Sequence, residues 1–347
     1  MRTAGALLFG LTLLVGVTVC AQADTQIVPL AADETHLTLL EQEMDALRYS
    51  VELSELVAVD VITDEGAFVR LFIPGFHSSH LEGAPELPMM NRLIEIPCGA
   101  SARVEVVSVE SRSINLADYG IKSPIFPAQP SMPKNVDPAD WPFVYDRDAY
   151  AADRVARDLV KVVSLGQLRA ADIGRLEVSP IEYFPAENRI LVHERIEFSV
   201  IFEHADHARG DALKTVTHSL FFTPIYDQIE GFRTPHDDHP DLVRDVVTLV
   251  VVTPPEFEVQ LQEFVEWKIE RGFHTILAVT GSPPVGSTKE EIQAYIHDLY
   301  NNATPELPAP SFVIFVGDVA QMPTWFLGGN ASDRPYCDVE GDLVPDI

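Results

Sequence analysis

The 347 residues carry a formal net charge of −29, with 46% hydrophobic and 22% charged residues. That is enough apolar matter for a buried core and enough length for two domains. A surface this acidic repels phosphate backbones and argues against a nucleic-acid partner.

The chain starts with a short positive segment at Arg2, followed by an uncharged apolar run, Ala4 to Val19. Ala21-Gln22-Ala23 then offers small residues in the A-x-A arrangement, with Asp24 behind it. This reads as a secretory signal, residues 1–23, cleaved after Ala23. A membrane anchor would need a longer run with basic residues after it. A lipoprotein signal ending at Cys20 would want a small residue where Val19 stands. Cys20 leaves with the signal, so Cys98 and Cys337 remain, in different predicted domains, and are read as unpaired thiols. The absence of any Cys-x-x-Cys excludes a structural zinc site of that type.

From about Glu52 to Glu203, short apolar runs alternate with Pro, Gly, Asn and Asp. Val57–Ile62, Phe68–Ile73, Arg92–Ile96, Ala102–Val107 and Ile196–Phe202 are predicted strands, several with period-two alternation. Strands without intervening helical patterns predict an antiparallel β-sandwich over residues 24–235. The Pro-rich stretch Ser123–Pro142 is predicted to be a long surface excursion. His236 to Asp241 lacks apolar periodicity, and residues 236–245 read as an exposed linker.

The pattern of residues 246–347 is α/β. Val246–Val252 is an almost uninterrupted apolar strand, as expected when both faces of a parallel sheet are covered. Thr253-Pro-Pro-Glu256 suggests a capped helix start, with Phe257, Leu261, Phe264, Val265 and Ile269 as its buried stripe. Thr275–Val279 is a second strand. Thr288-Lys-Glu-Glu291 caps a second helix with the stripe Ile292, Tyr295, Ile296, Leu299 and Tyr300. Phe312–Val316 is a third strand, ending in Gly317-Asp318. This order predicts a parallel sheet with function gathered at the carboxyl ends of its strands.

Several segments of this half fall into a known order: Phe264-Val-Glu-Trp-Lys268 with Arg271-Gly272-Phe273, Ile292 to Tyr300, Phe315-Val-Gly-Asp318 with Gln321-Met-Pro323, and Ser332-Asp333 through Gly341-Asp342 to Ile347. Together they resemble the start of the gingipain-like cysteine peptidase domain (peptidase family C25). In the front half, Gly83 to Pro88, Ile94-Glu-Ile-Pro97, Gly166-Gln-Leu-Arg169 and Ser179 to Pro185 are similar to the propeptide of the same family. The resemblance implies a multidomain precursor: a β-sandwich propeptide that chaperones and inhibits, then a caspase-like α/β domain. It implies a secreted or cell-surface bacterial cysteine-type peptidase acting on proteins or peptides, without a required cofactor and without a membrane span once the signal is removed. The His and Cys of that chemistry are expected on later strands, beyond residue 347, so the chain is read as stopping short of them. If nothing followed residue 347, a non-catalytic exported binding or adhesion module would be the reading. A transpeptidase of the same family, acting in surface attachment, is a third.

Individual candidates are weaker. Cys337 is surrounded in sequence by Asp333, Asp338 and Asp342, which would raise its pKa, and it reads as a structural thiol. His204 with His207, and His236 with His239, have a spacing that could hold a metal only on a helix that their surroundings do not predict. Asp338, Glu340, Asp342 and Asp346 form an acidic loop that could take structural calcium. Arg233 and Arg244 flank the linker, and Arg244 is the better candidate for the maturation cut.

Overall fold

The computed structural model describes residues 25–137, 141–234 and 246–347. The expected cleavage points at Ala23 and Arg244, the linker, and His236 with His239 lie outside the described residues.

The front unit is built from β1 (Thr25–Pro29), β2 (His36–Gln42), β3 (Ala46–Glu52), β4 (Glu55–Thr63), β5 (Gly66–Phe72) and β6 (His77–Ser78). There follow β7 (Pro88–Ile96), β8 (Ser101–Asn115), α1 (Arg147–Ala151), β9 (Val160–Leu168), β10 (Ala171–Val178), β11 (Ile181–Phe184) and β12 (Arg189–Glu203). The unit closes with α2 (His207–Thr217), α3 (Thr223–Tyr226) and the short β13 (Ile229–Glu230). Its sheets run β1-β4-β5, then β13-β7-β10-β9 with β6 on β7, and β11-β12-β3-β2 with β8 on β12. The ladders are antiparallel apart from the two-residue pairing of β13 with β7.

Period-two alternation sets the faces. In β3, Leu47, Tyr49 and Val51 are buried between half-exposed neighbours, and in β12 Ile196, Phe198 and Val200 do the same. The register puts Tyr49 opposite Phe198, whose rings stack at 5.3 Å. These side chains join Ile94, Leu176, Val69 and Leu71 from the other sheets in one shared core. Each such burial contributes roughly 1.5–3 kcal/mol.

The Ser123–Pro142 stretch departs from its expectation. Ile125, Phe126 and Ala128 are buried. The Val69 N–H donates to Pro124 O at 2.9 Å, and the Phe126 N–H donates to Val69 O at 2.7 Å. Proline bars a long ladder, yet the residues between prolines keep their own N–H groups and can pair one by one.

The rear unit runs β14 (Val247–Thr253), α4 (Gln262–Glu270), β15 (Phe273–Val279), α5 (Lys289–Asn301) and β16 (Phe312–Phe315), then β17 (Trp325–Leu327), β18 (Asn330–Ser332) and α6 (Arg334–Cys337). The sheet order is β15-β14-β16, both pairings parallel, with every residue of the central strand buried. The capping box of α5 forms as expected: Thr288 Oγ1 accepts from the Glu291 N–H, and the Glu291 carboxylate accepts from the Thr288 N–H. Ile292, Ile296 and Tyr300 are the buried stripe.

The start of α4 is different. Thr253 is the last residue of β14 and fully buried, and its hydroxyl donates to Pro254 O. It is therefore not free to cap, and a single 3-10 turn at Pro255–Phe257 precedes a helix that begins only at Gln262. Val265 is buried, but Ile269 is 54% exposed and the preceding Val259 80%, so the expected stripe is covered in part. Among the described residues no helix is long and apolar enough to cross a membrane.

Candidate functional site

The carboxyl edge of the parallel sheet is where the topology favours chemistry. Beyond β16, Gly317 takes φ +120°, and a Cβ there would stand 3.0 Å from Gln321 Cβ. This lets the chain turn back on Asp318, whose Oδ1 accepts from the Val319 N–H at 2.7 Å and whose N–H donates to Gln321 Oε1 at 3.0 Å. Asp318 is thus a turn organiser. Beyond β15, Ser287 and Thr288 donate their N–H groups to Glu291 Oε2 at 2.7 and 3.0 Å. Those bonds hold the Glu291 carboxyl below its usual range and occupy the N-terminus of α5.

The imidazoles and thiol of the rear unit are His274, His297 and Cys337. His274 is exposed and lies near the amino end of β15. His297 sits along α5, its pKa lowered mainly by burial. Cys337 ends α6, and burial, then Asp333 and Asp346, push its thiol up to about 11. Burial leads here, where the sequence suggested only charge. A thiol held protonated in this way is a poor nucleophile. None of the three stands at the carboxyl end of β14, β15 or β16, and among the described residues no thiol–imidazole dyad is assembled there.

The carboxylates of the acidic loop accept hydrogen bonds from main-chain N–H groups. Asp338 accepts from the N–H groups of Gly341, Asp342 and Leu343 at 2.8, 3.1 and 3.1 Å. Asp342 Oδ1 accepts from Val344 at 2.8 Å, and Asp342 Oδ2 from the N–H of Gln167 in the front unit. Asp346 Oδ1 accepts from the Arg169 N–H and Oδ2 from the Val339 N–H, both at 2.9 Å. Glu340 is exposed. Calcium needs several oxygens converging on one point. Here Asp338, Asp342 and Asp346 are turned onto main-chain donors, and among the described residues no three His, Cys, Asp or Glu form a metal-holding group.

His207 opens α2, and its Nε2 meets Asp45 Oδ1 at 2.7 Å; His204 stands outside the helix at φ +68°. The two do not share a helix face. Arg233 is tied down. Its N–H donates to Glu95 Oε2 at 3.1 Å, its carbonyl accepts from Lys214 Nζ at 2.8 Å, and its guanidinium reaches Met44 O at 3.0 Å. Glu95 and Lys214 are themselves a buried ion pair. A protease needs several residues of free extended backbone, which this anchoring denies.

Arg169 stands out in the sequence only as part of the Gly166–Arg169 segment. It lies in the two-residue turn between β9 and β10, at φ +55° and 1% exposed. Its guanidinium donates to the carbonyls of Thr217, Pro310, Asp346 and Ala309. An arginine read by carbonyls leaves no opposite charge in the sequence to betray it.

The description Propeptide_C25 belongs to a family model that matches residues 31–223, and Peptidase family C25 to one that matches residues 244–347. Lys-gingipain of Porphyromonas gingivalis is 32% identical over 342 residues, 96% of this chain and 19% of that protein. Gingipain R2 of Porphyromonas gingivalis is 24% identical over 321 residues, 89% of this chain and 40% of that protein. This chain therefore spans 19% of the length of the Lys-gingipains it matches. A solved structure presented as "Structural insight into zymogenic latency of gingipain K from Porphyromonas gingivalis" is 33% identical, with a TM-score of 0.50, covering 52% of this chain and 100% of that one.

Proposed function

Because the chain belongs to peptidase family C25, carrying the family's propeptide and the first part of its peptidase unit, we propose that it is the precursor form of a secreted, gingipain-like cysteine endopeptidase. The observation that carries this reading is the order of parts: an antiparallel β unit matched by the propeptide model precedes, on one chain, a parallel α/β unit matched by the peptidase model. In this reading the catalytic Cys and His come from sequence beyond residue 347, on later strands of the same sheet. The thiolate attacks a peptide carbonyl, the imidazole carries the proton to the leaving amine, and water then releases the acyl group. No cofactor is required. The turns at Gly317-Asp318 and Ser287-Thr288 form the rigid carboxyl edge against which that dyad is built. Residues 1–23 direct export and are removed after Ala23. Maturation cuts after Arg244, a reading supported by the anchoring of Arg233.

An activity-based probe tests this. The whole protein, extended beyond residue 347, is treated with a biotinylated peptidyl acyloxymethyl ketone, and the labelled residue is located by mass spectrometry. The expected label falls on a cysteine beyond residue 347. Label on Cys98 or Cys337, or on no cysteine, overturns the proposal.

A further inference from the structure

The front and rear units meet on the amino edge of the parallel sheet, the opposite edge from the one described above. Ala309–Ser311 immediately precede β16, and Phe273 is the first residue of β15. On this edge the Ala309 N–H donates to Val216 O at 2.9 Å, at the carboxyl end of α2, and Ser311 Oγ donates to Ser219 Oγ at 2.8 Å. Phe221 lays its ring 5.9 Å from Phe273 and 5.0 Å from Phe312. The β9–β10 turn enters between these contacts and the 338–347 segment, where Val344 packs against the cluster of Leu168, Ile173, Tyr226 and Ile229.

Arg169 is the centre of this junction. Its guanidinium lies 4.9 Å from the ring of Phe222 in the front unit and 5.6 Å from that of Tyr300 in the rear unit. Two of its four carbonyl partners precede β16, one ends α2 and one is Asp346, so a single side chain ties three separate segments. Its planar fork of donors suits that task. Burial lowers its pKa, and Tyr300, Tyr226 and Asp346 oppose that in part. The turn itself breaks a local rule. Two-residue hairpin turns that need φ > 0 favour Gly or Asn, yet a buried arginine occupies this one. A backbone outlier that surrounding contacts hold in place points to a role.

We infer that Arg169 is the anchor of a docking surface on the amino edge of the parallel sheet, through which the front unit holds the rear unit. The surface fits one partner, the rear unit of this chain, and reads it mainly by main-chain carbonyls and by the carboxylates of Asp342 and Asp346. Gly166 belongs to the same fit, since a Cβ there would stand 2.5 Å from Asp342 Oδ2.

The test uses the 347-residue chain with a site for a specific protease placed within residues 236–245, and it reads association only, so it stands or falls separately from any peptidase activity. After cutting, the two pieces of the parent chain are expected to co-elute on gel filtration. Arg169→Met is expected to raise their dissociation constant at least about a hundredfold, as loss of a central buried anchor does. Arg169→Lys is expected to restore little, because one ammonium cannot reach carbonyls on three segments. Unchanged amide exchange in β3 and β12 separates weakened docking from unfolding. Should Arg169→Met disturb those strands, Phe221→Ala and Arg169→Lys carry the test, each expected to weaken association at least about tenfold. Parent pieces that separate on cutting, or variants that stay associated with the parent affinity, overturn the inference.

Discussion

The main-chain N–H of Arg169 donates to Oδ1 of Asp346 at 2.9 Å, across 177 positions of the chain. The other oxygen of that carboxylate accepts from the Val339 N–H. One buried acid thus closes the loop after α6 and receives the hairpin of the front unit. Asp346→Ala leaves both donors without an acceptor, at a cost of about 1–3 kcal/mol for each buried group. Chemical denaturation of the 347-residue chain is expected to show a loss of roughly 2–4 kcal/mol, with faster amide exchange at Val339 and Arg169. A variant as stable as the parent would show that these bonds contribute nothing.

Cys337 gives a pH signature. Its thiol is pushed up to about 11, chiefly by burial, so the protonated form persists into alkaline solution. At pH 8 only about one molecule in a thousand then holds the thiolate, against about one in four for a free cysteine. In a Cys98→Ser background, iodoacetamide is expected to alkylate Cys337 at least about a hundredfold more slowly than a free thiol at pH 8, the rate rising about tenfold per pH unit up to pH 10. Rapid, pH-independent labelling near neutrality would mark it as an activated nucleophile.

Trypsin separates the two arginines that flank the connector. With Arg233 anchored by Glu95 and Lys214, the first cut is expected after Arg244. Breaking one partner of a buried ion pair costs about 3–5 kcal/mol, and Glu95→Gln also weakens the hold on the Arg233 N–H. In Glu95→Gln, cleavage after Arg233 is expected to appear alongside that after Arg244. First cuts after Arg233 in the parent chain would contradict the anchoring.

The rear unit depends on its neighbour. β15 and β16 are the two edges of a three-stranded sheet, and removing the front unit also uncovers Phe273, Phe312 and the carbonyls that Arg169 occupies. Open edges and apolar surface recruit other chains. Residues 246–347 expressed alone are expected to self-associate in light scattering, and a monodisperse, cooperatively melting monomer would speak against this dependence.

What was legible in the sequence is what local signals carry. The almost uninterrupted run Val246–Val252 marks a parallel strand, and Thr288 with Glu291 marks a helix start, because in each the cause lies within a few residues. The start of α4 is not legible there, because Thr253 is buried by strand pairing that the four-residue cap pattern does not contain. The sequence does not show the burial of Ile125 and Phe126, because their partners, Val69 and Glu86, lie far back in the chain. The composition of the acidic loop names acceptors without saying which N–H groups they meet. The Arg169 junction was invisible for the reverse reason: its acceptors are carbonyls, which every residue has.

Peptide hydrolysis tests the central claim most directly. The 347-residue chain and the whole protein extending beyond it are assayed side by side with fluorogenic peptide substrates under reducing conditions. The account expects no hydrolysis by the 347-residue chain, and hydrolysis by the whole matured protein that thiol alkylation abolishes. Hydrolysis by the 347-residue chain that Cys337→Ala removes, or activity of the whole protein that survives alkylation, would contradict it.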